Sequence, residues 1–346
     1  MEKGKLNRNK NMNKILKVGI IGMGEQMTDN LLPSILLNNS VIIDSVCDID
    51  KEKLHIAESK YNVVGCQSYQ EMLTTRELDC IVVASTPQVH EAVIQLSIDK
   101  GIPIFVEKPP FVDISSLTHI MSDPKAKDLI SGVGINFSYT DSLLILKELL
   151  NEKKFGNILY WNINHLANKP TEALWGLNSV PQSFLLAQAI HPLAFILSFG
   201  DNYKIKSIDY SQFADQLLLN LNLDINRNGK SFVANITSGT CSPHFEWNME
   251  IITDQGKILR INSLWELELL DAGKKTDLVK NTKRWKDVWH PSPVGNGLKR
   301  TGYYHELSSF FDSVRENKTF YPNLSNMFAV YTLIDQISKN ITVKYV

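Results

Sequence analysis

The sequence predicts an α/β protein of two domains: a parallel sheet wrapped by helices, then a second α/β domain built around a large antiparallel sheet. Three observations carry this. The chain has 346 residues, a two-domain length. From Ile15 to Asn136, short apolar runs alternate with amphipathic stretches at the spacing of strand–crossover–strand units. Beyond residue 137, apolar and polar residues alternate over short runs separated by turn dipeptides, which favours antiparallel neighbours.

In the first domain, strands are expected at Ile15–Ile21, Val41–Cys47, Leu78–Ala84, Ile102–Val106 and Ile130–Ile135. These runs are short, apolar and rich in Val and Ile, as strands buried on both faces are. Helices are expected at Leu31–Asn38, at Lys51–Lys60 with Leu54 and Ala57 inward, and from Pro87 to Lys100 with Gly101 at the C-cap. In the second domain, Asp141–Glu152 has helical spacing and Ile158–His165 has strand alternation. Ser183–Phe199 is an apolar helix in which Pro192 removes a backbone bond and bends the axis. Strands follow at Lys206–Phe213, Leu217–Ile225, Ser231–Ile236, Phe245–Ile252, Ile258–Ile261 and Leu264–Leu270. Asn228-Gly229 and Asp254-Gln255-Gly256 provide turns between them. The expected domains are 15–136 and 137–346, after a polar Asn/Lys-rich tail over 1–14.

Composition excludes several classes. Lys plus Arg number 36 against 37 Asp plus Glu, so the electrostatic footprint of a nucleic-acid binder is missing. No apolar run reaches the ~18 residues of a membrane span, and no signal-type segment precedes Ile15, so a cytoplasmic location is expected. Cys47, Cys66, Cys80 and Cys241 form no C-x-x-C pair, and no spacing suggests a metal. Free thiols are therefore expected.

Parallel open sheets bind ligands at the carboxyl ends of their strands, so those ends hold the candidate site. The first is followed by Gly22-Met23-Gly24-Glu25-Gln26-Met27, which matches G-x-G-x-x-G at two of three glycines. Gly22 suits the tight turn and Gly24 the close approach of a pyrophosphate, with the amides of Glu25, Gln26 and Met27 following at a helix start. Met27 replaces a glycine whose task is helix–strand packing. Asp48 ends the second strand 24 residues after Gly24, where an acid grips a ribose 2′-hydroxyl. That carboxylate repels a 2′-phosphate, which favours NAD over NADP, although Lys51 and Lys53 keep NADP open. Ser85 and Thr86 suit passage of a dinucleotide, with His90 close by. Glu107-Lys108-Pro109-Pro110 pins a Glu-Lys pair at a strand end, where surroundings can tune an active-site Lys. A cis bond before either proline is expected to be tolerated.

Together VGIIGMG, VCD, ASTPQVH and above all VEKPP resemble the Gfo/Idh/MocA oxidoreductases. Gly134-Ile135-Asn136 resembles the family's strand into the second domain, and Gly302-Tyr303-Tyr304-His305-Glu306-Leu307 its closing helix. The resemblance implies an N-terminal Rossmann domain, a doubly wound parallel sheet, and a C-terminal α/β domain with a large, open, mostly antiparallel sheet. It also implies a nicotinamide cofactor. The family's D-x-G-x-H-x-x-D helix, laid on this chain, keeps only His191: the acids fall on Ala187 and Ala194, and the glycine on Ala189. Gln188 is the nearest polar neighbour in sequence.

The expected activity is hydride transfer between NAD(P) and a sugar, polyol or related small alcohol or carbonyl compound. Lys108 and His191 are the expected catalytic pair, with Glu107 and Lys108 also beside the cofactor. Asn136, Tyr139, His165, Trp175 and Gln188 are expected to line the substrate site. Trp161, Trp247 and Trp265 are expected in the core or at a subunit interface. An open sheet face points to a homodimer or homotetramer. Two other readings stay open: imine or tetrapyrrole reduction, and ligand sensing without turnover.

Overall fold

The computed structural model describes residues 14–214, 216–271, 285–292, 297–341 and 344–345; most of the polar tail expected over 1–14 lies outside them. The chain divides into two compact units. The first comprises the chain up to Asn136 together with Thr301–Tyr331; the second comprises Phe137–Arg300 with Thr332–Val346.

The first unit holds six parallel strands: β1 (Leu16–Ile21), β2 (Val41–Cys47), β3 (Val64–Cys66), β4 (Cys80–Val83), β5 (Ile104–Val106) and β6 (Ser131–Val133). Their order is β3-β2-β1-β4-β5-β6, that of a doubly wound dinucleotide-binding sheet, with the strand order reversing between β1 and β4. Val18, Ile20 and all of β4 are shielded on both faces, which is why these runs read as unbroken apolar stretches. Helix Lys51–Tyr61 is capped by Asp50, whose Oδ1 accepts from Glu52 N at 2.9 Å. Helix Pro87–Lys100 starts on its proline and ends at Gly101 with φ +68°.

Several elements differ from expectation. The helix expected at Leu31–Asn38 begins earlier, through a π turn at Met27–Leu31 before α-helix Leu32–Leu36. Strand β3 and helix Tyr69–Thr75 were not anticipated: three residues are too few for a period to register. A single division at residue 136 leaves 301–346 in the second domain, whereas the structure packs Thr301–Tyr331 in the first unit. Its reason is visible beside β6. Val133 N donates to Pro322 O at 2.9 Å, and Phe310 and Phe320 seat their rings 5.6 and 6.3 Å from Phe105.

The second unit carries a nine-stranded sheet of order β14-β13-β12-β11-β7-β10-β9-β8-β15. Its strands are β7 (Ile158–Leu166), β8 (Asn202–Phe213), β9 (Gln216–Arg227), β10 (Lys230–Gly239) and β11 (Glu246–Thr253). The remaining four are β12 (Lys257–Asn262), β13 (Glu266–Asp271), β14 (Trp285–Trp289) and β15 (Lys344–Tyr345). Among the described residues of this sheet, only β7–β10 and β8–β15 pair in parallel. Along β9, Leu217, Leu219, Leu221, Leu223 and Ile225 are buried, while Asn220, Asn222, Asp224 and Asn226 alternate with them. In register across the outer face run Asn222, Asn235, Asn162 and Glu250. Trp161 and Trp247 are fully buried, as core aromatics are; Trp265 is 40% exposed and is not core.

The stretch Val180–Leu197 is long and apolar enough to cross a membrane by length and composition, and 78% of it is buried in the structure. It is α-helix Val180–Phe184, a π turn at Leu185–Ala189, and α-helix Ile190–Leu197. The widened turn lies just before Pro192, where the missing donor was expected to disturb the helix.

Candidate active site

The first unit gathers its candidate residues at the carboxyl ends of β1, β2, β4 and β5. Gly22 leaves β1 with φ +87°, and a Cβ there would meet Ala84 O at 2.1 Å. No other residue type fits without moving the backbone of the next strand. At Gly24 a Cβ would meet nothing within 4 Å. The two glycines thus differ in kind: one is required by the fold, the other leaves an approach open. From Glu25 the chain turns helical, and first-turn amides lack intrahelical acceptors.

Asp48 closes this turn. Its Oδ2 accepts from Met23 N at 2.7 Å and its Oδ1 from Asp50 N at 2.9 Å. A carboxylate offers about four acceptor positions, so these backbone bonds leave capacity for ribose hydroxyls. Ser85 and Thr86 are exposed at the end of β4. Met27, offered for its amide, has its side chain fully buried between helix and sheet. One expected cofactor contact needs correction. His90 is also fully buried, and both ring nitrogens serve the backbone: Nε2 accepts from Ser85 N at 2.8 Å, and Nδ1 lies 2.9 Å from Pro109 O. Donation to that carbonyl fixes the tautomer with the proton on Nδ1. Burial pushes its pKa down to about 4, against the opposing pull of that bond. His90 therefore clasps the β4 and β5 loops together and has no face left for a ligand.

The β5 loop carries Glu107, Lys108 and the cis Lys108–Pro109 bond. Glu107 is buried, and burial raises its pKa; the Lys108 charge, the Gln26 amide and the Lys108 N–H oppose that rise. Gln26 Nε2 donates to Glu107 Oε1 at 3.1 Å and to Tyr303 OH at 3.2 Å, while its Oε1 accepts from Asn30 Nδ2 at 3.0 Å. Burial also raises the Tyr303 pKa. Beside it, buried Glu306 accepts from Ile135 N at 2.6 Å. Gln26, expected on the cofactor, is thus the link between the glycine turn, Glu107 and the Tyr303 helix. The sequence offered Tyr303 and Glu306 only as part of a resemblance, without roles; a Tyr-x-x-Glu step at a helix start was the available signal. Asn136 is buried and gives its amide to Thr301 O at 2.8 Å, so it braces this unit's own backbone.

The second unit forms a separate constellation at one end of its sheet. Trp247 on β11 pairs with His165 on β7, and His165 with Ser238 on β10, in one transverse row. Ser238 Oγ and His165 Nδ1 are 3.5 Å apart. His191 comes from helix Ile190–Leu197, its ring 6.3 Å from that of His165. Phe137 covers both: its ring centroid is 4.6 Å from His191, 5.1 Å from Trp247 and 5.3 Å from Phe245. His165 and His191 are buried at 1% and 4% exposure, whereas Phe245 is 38% exposed. Phe137 and Phe245 were not anticipated, because nothing local marks an aromatic that closes over a histidine from another element.

The other expected substrate residues are not in this row. Tyr139 is buried beneath Lys147, whose Nζ lies 5.3 Å over its ring. Trp175 is half-buried with φ +54°. Gln188 is half-buried within the π turn. Among the described residues no group of three or more His, Cys, Asp or Glu is placed to hold a metal ion. Cys47, Cys66, Cys80 and Cys241 are free thiols, and burial pushes Cys47 up to about 12.

Residues 16–135 match the model of an oxidoreductase family with an NAD-binding Rossmann fold, Gfo/Idh/MocA. A dehydrogenase from Chromobacterium violaceum is 32% identical, with a TM-score of 0.86 over 94% of this chain and 95% of its own. The chain belongs to the Gfo/Idh/MocA family. An inositol 2-dehydrogenase of Pseudomonas fluorescens is 22% identical over 92% of both chains. A levoglucosan dehydrogenase, solved with NADH and levoglucosan, shares the fold at 15% identity, with a TM-score of 0.79 over 94% of this chain and 97% of its own. Family membership makes the protein an oxidoreductase with a nicotinamide cofactor and a small-molecule substrate. The first unit fits such a cofactor: the open approach at Gly24 and the spare acceptor capacity of Asp48 are what a dinucleotide needs.

Proposed function

We propose that this family member is an NAD-dependent dehydrogenase interconverting an alcohol and a carbonyl on a small sugar- or polyol-like compound. One observation carries the reading: the glycine turn, Asp48 and the Glu107-Lys108 loop sit at the carboxyl ends of β1, β2 and β5, spanning the point where strand order reverses. The amides after Gly24 hold the pyrophosphate, and Asp48 accepts from the adenosine ribose. Its negative charge disfavours a 2′-phosphate, so NAD is preferred to NADP. When bound, the nicotinamide takes up or gives back a hydride. Lys108 binds the reacting oxygen and stabilises negative charge there. His191 takes or returns the hydroxyl proton. The outer face of the second sheet, with Leu159 and Phe213 52% and 45% exposed, pairs copies of the chain into a homodimer or homotetramer.

Calorimetry with each coenzyme tests the cofactor assignment. NADH is expected to bind at least about tenfold more tightly than NADPH, a difference of ~1.4 kcal/mol. Asp48→Ser should narrow the gap. Equal binding in the parent protein refutes the preference, and uptake of neither refutes the enzymatic reading. A sensor without turnover is the second reading, favoured by Ala187 and Ala194 at the family's acidic positions. Full coenzyme occupancy with no change in nicotinamide absorbance, for ketones offered with NADH and alcohols offered with NAD+, would establish it.

A further inference from the structure

The end of the second sheet away from His165 and Ser238 gathers cations around a cavity. Strands β9 and β10 meet there in a two-residue turn, Asn228-Gly229, with φ +53° and +78°. Arg227 and Lys230 flank that turn as a registered pair, so their side chains leave the sheet on one face. It is the core face, since the next pair on it, Ile225 and Phe232, is buried. Like charges directly opposite one another destabilise a strand pair unless something compensates them. A third cation, Lys153, comes from the turn after helix Asp141–Asn151. All three line a cavity of about 280 Å³ whose apolar lining is Leu150, Ile158 and Phe232.

Arg227 is half-buried, and burial lowers its pKa against the pull of Asp201. Its Nη2 donates to Asn151 Oδ1 at 2.9 Å and to Leu150 O at 3.4 Å, at the end of the helix. The donors on Nε and Nη1 make no hydrogen bond among the described residues. Nor do Arg227, Lys153 and Lys230 form an ion pair among them. Glu152, the carboxylate in the lining, pairs with Lys154 at 2.6 Å. Asp201 and Asp254, whose charges act on Arg227 and Lys230, accept from the main-chain N–H groups of Asn228 and Asn157 at 2.7 and 2.9 Å.

We propose that this cavity takes a phosphate group, free or on a small phosphorylated compound. A phosphate monoester brings about two negative charges and three acceptor oxygens, which meet the remaining Arg227 donors and the two ammonium groups. A single carboxylate brings half that charge. The volume lies near the lower limit of small-molecule sites, about 300 Å³, and so suits a compact ligand. His165 lies ~23 Å further along β7 than Ile158 at the rise of a strand, which separates this site from the histidines. The inference stands apart from the dehydrogenase reading.

Calorimetry on the full chain tests this with glycerol 3-phosphate, inorganic phosphate and glycerol, each with NADH present and again without it. At least one of the two phosphates is expected to saturate the protein under both conditions, and glycerol to give no heat of binding. Tighter binding of the ester assigns the phosphorylated compound; inorganic phosphate binding as well or better assigns the free anion. Lys153→Gln combined with Lys230→Gln changes two exposed side chains, leaves the fold alone and should weaken the anion at least about tenfold. Arg227→Lys keeps the charge, loses the planar fork and should weaken it about as much. Saturation by neither phosphate overturns the proposal, as does undiminished affinity in the lysine double variant. So does binding abolished by NADH, which would place the anion at the amides after Gly24.

Discussion

The two units build their candidate chemistry by opposite means. At the β1–β5 edge the work falls to the backbone: amides after Gly24, a turn forced by Gly22, and side chains such as Asp48 and His90 that are themselves tied to main-chain groups. At the end of the second sheet, side chains do it by packing. His165 and His191 are placed by one another and by aromatic rings, from two strands, one helix and one turn. A backbone site tolerates substitution poorly but is the same for every dinucleotide. A side-chain wall can change its polarity by a few substitutions while the fold stays. The difference separates an edge built on the main chain from a wall built on side chains, whose polarity is adjustable.

The sharpest way to break that comparison is at Lys108, the side chain assigned to chemistry within the backbone-built half. Lys108→Ala is expected to lower turnover about a thousandfold, within the usual range for losing a positioned acid–base or oxygen-binding group. NADH affinity should change by no more than a few-fold. Steady-state rates with calorimetry on the same preparation check both, and retained turnover removes Lys108 from the chemistry. Gly22 and Gly24 offer the next contrast. Gly22→Ala drives a Cβ against Ala84 O and holds an L-residue at φ +87°, so unfolding should become easier by about 4 kcal/mol. Gly24→Ala meets no atom of the protein and should leave stability unchanged, yet weaken NADH at least about tenfold, or ~1.4 kcal/mol. Equal destabilisation by both would show that the second glycine serves the fold as well.

How much of this was readable beforehand follows the same division. The edge was legible because each contributor lies within a few residues of a strand end, and strand ends are marked by glycine, proline and acid signals. The candidates Asp48, Glu107 and Lys108 were picked out that way, and they follow β2 and β5 directly. His90 was misread, since a histidine in the first turn of a helix looks exposed until Pro109 O is seen across from it. The wall was half legible. His191 stood out as a lone titratable residue on an apolar helix and His165 as a polar residue within a strand. Their partners come from positions as distant as Phe137 and Phe245, and convergence over such separations leaves no local pattern. Residues 301–331 failed for the same reason: only the pairing with β6 shows which unit they join.

His90 offers a smaller and purely thermodynamic test of the backbone half. Burial pushes its pKa down to about 4, below the ordinary histidine value of 6.5. Between these values the unfolded chain binds a proton that the native protein does not, so stability rises with pH across that window. The contribution is fully present above 6.5 and falls by about 3 kcal/mol on acidification to 4. Denaturant titrations at several pH values should show this slope, and His90→Gln should flatten it. A slope unchanged in the variant would place the titration elsewhere.

A smaller effect on stability than those at Gly22 and His90 concerns Gln26, which joins the glycine turn to Glu107 and Tyr303 through one amide. Gln26→Leu keeps the size of the side chain and removes its donor, leaving a buried carboxylate with the Lys108 N–H and the Lys108 charge. The cost should be about 2 kcal/mol at neutral pH, that of an unsatisfied buried polar group. Its pH dependence identifies the cause. Burial has already raised the Glu107 pKa, and losing the Gln26 bond, which lowers it, raises it further. Over the interval between the unfolded value near 4.5 and the raised folded value, the native state binds the extra proton. Stability from this group is therefore greatest in acid and is lost as pH rises through the folded pKa. The protonated carboxyl has less need of a donor, so the gap between variant and parent should close as pH falls toward 4.5. Parallel denaturation curves read that gap directly. A deficit that stays constant with pH would make Gln26 a packing residue and leave the charge of Glu107 to Lys108 alone.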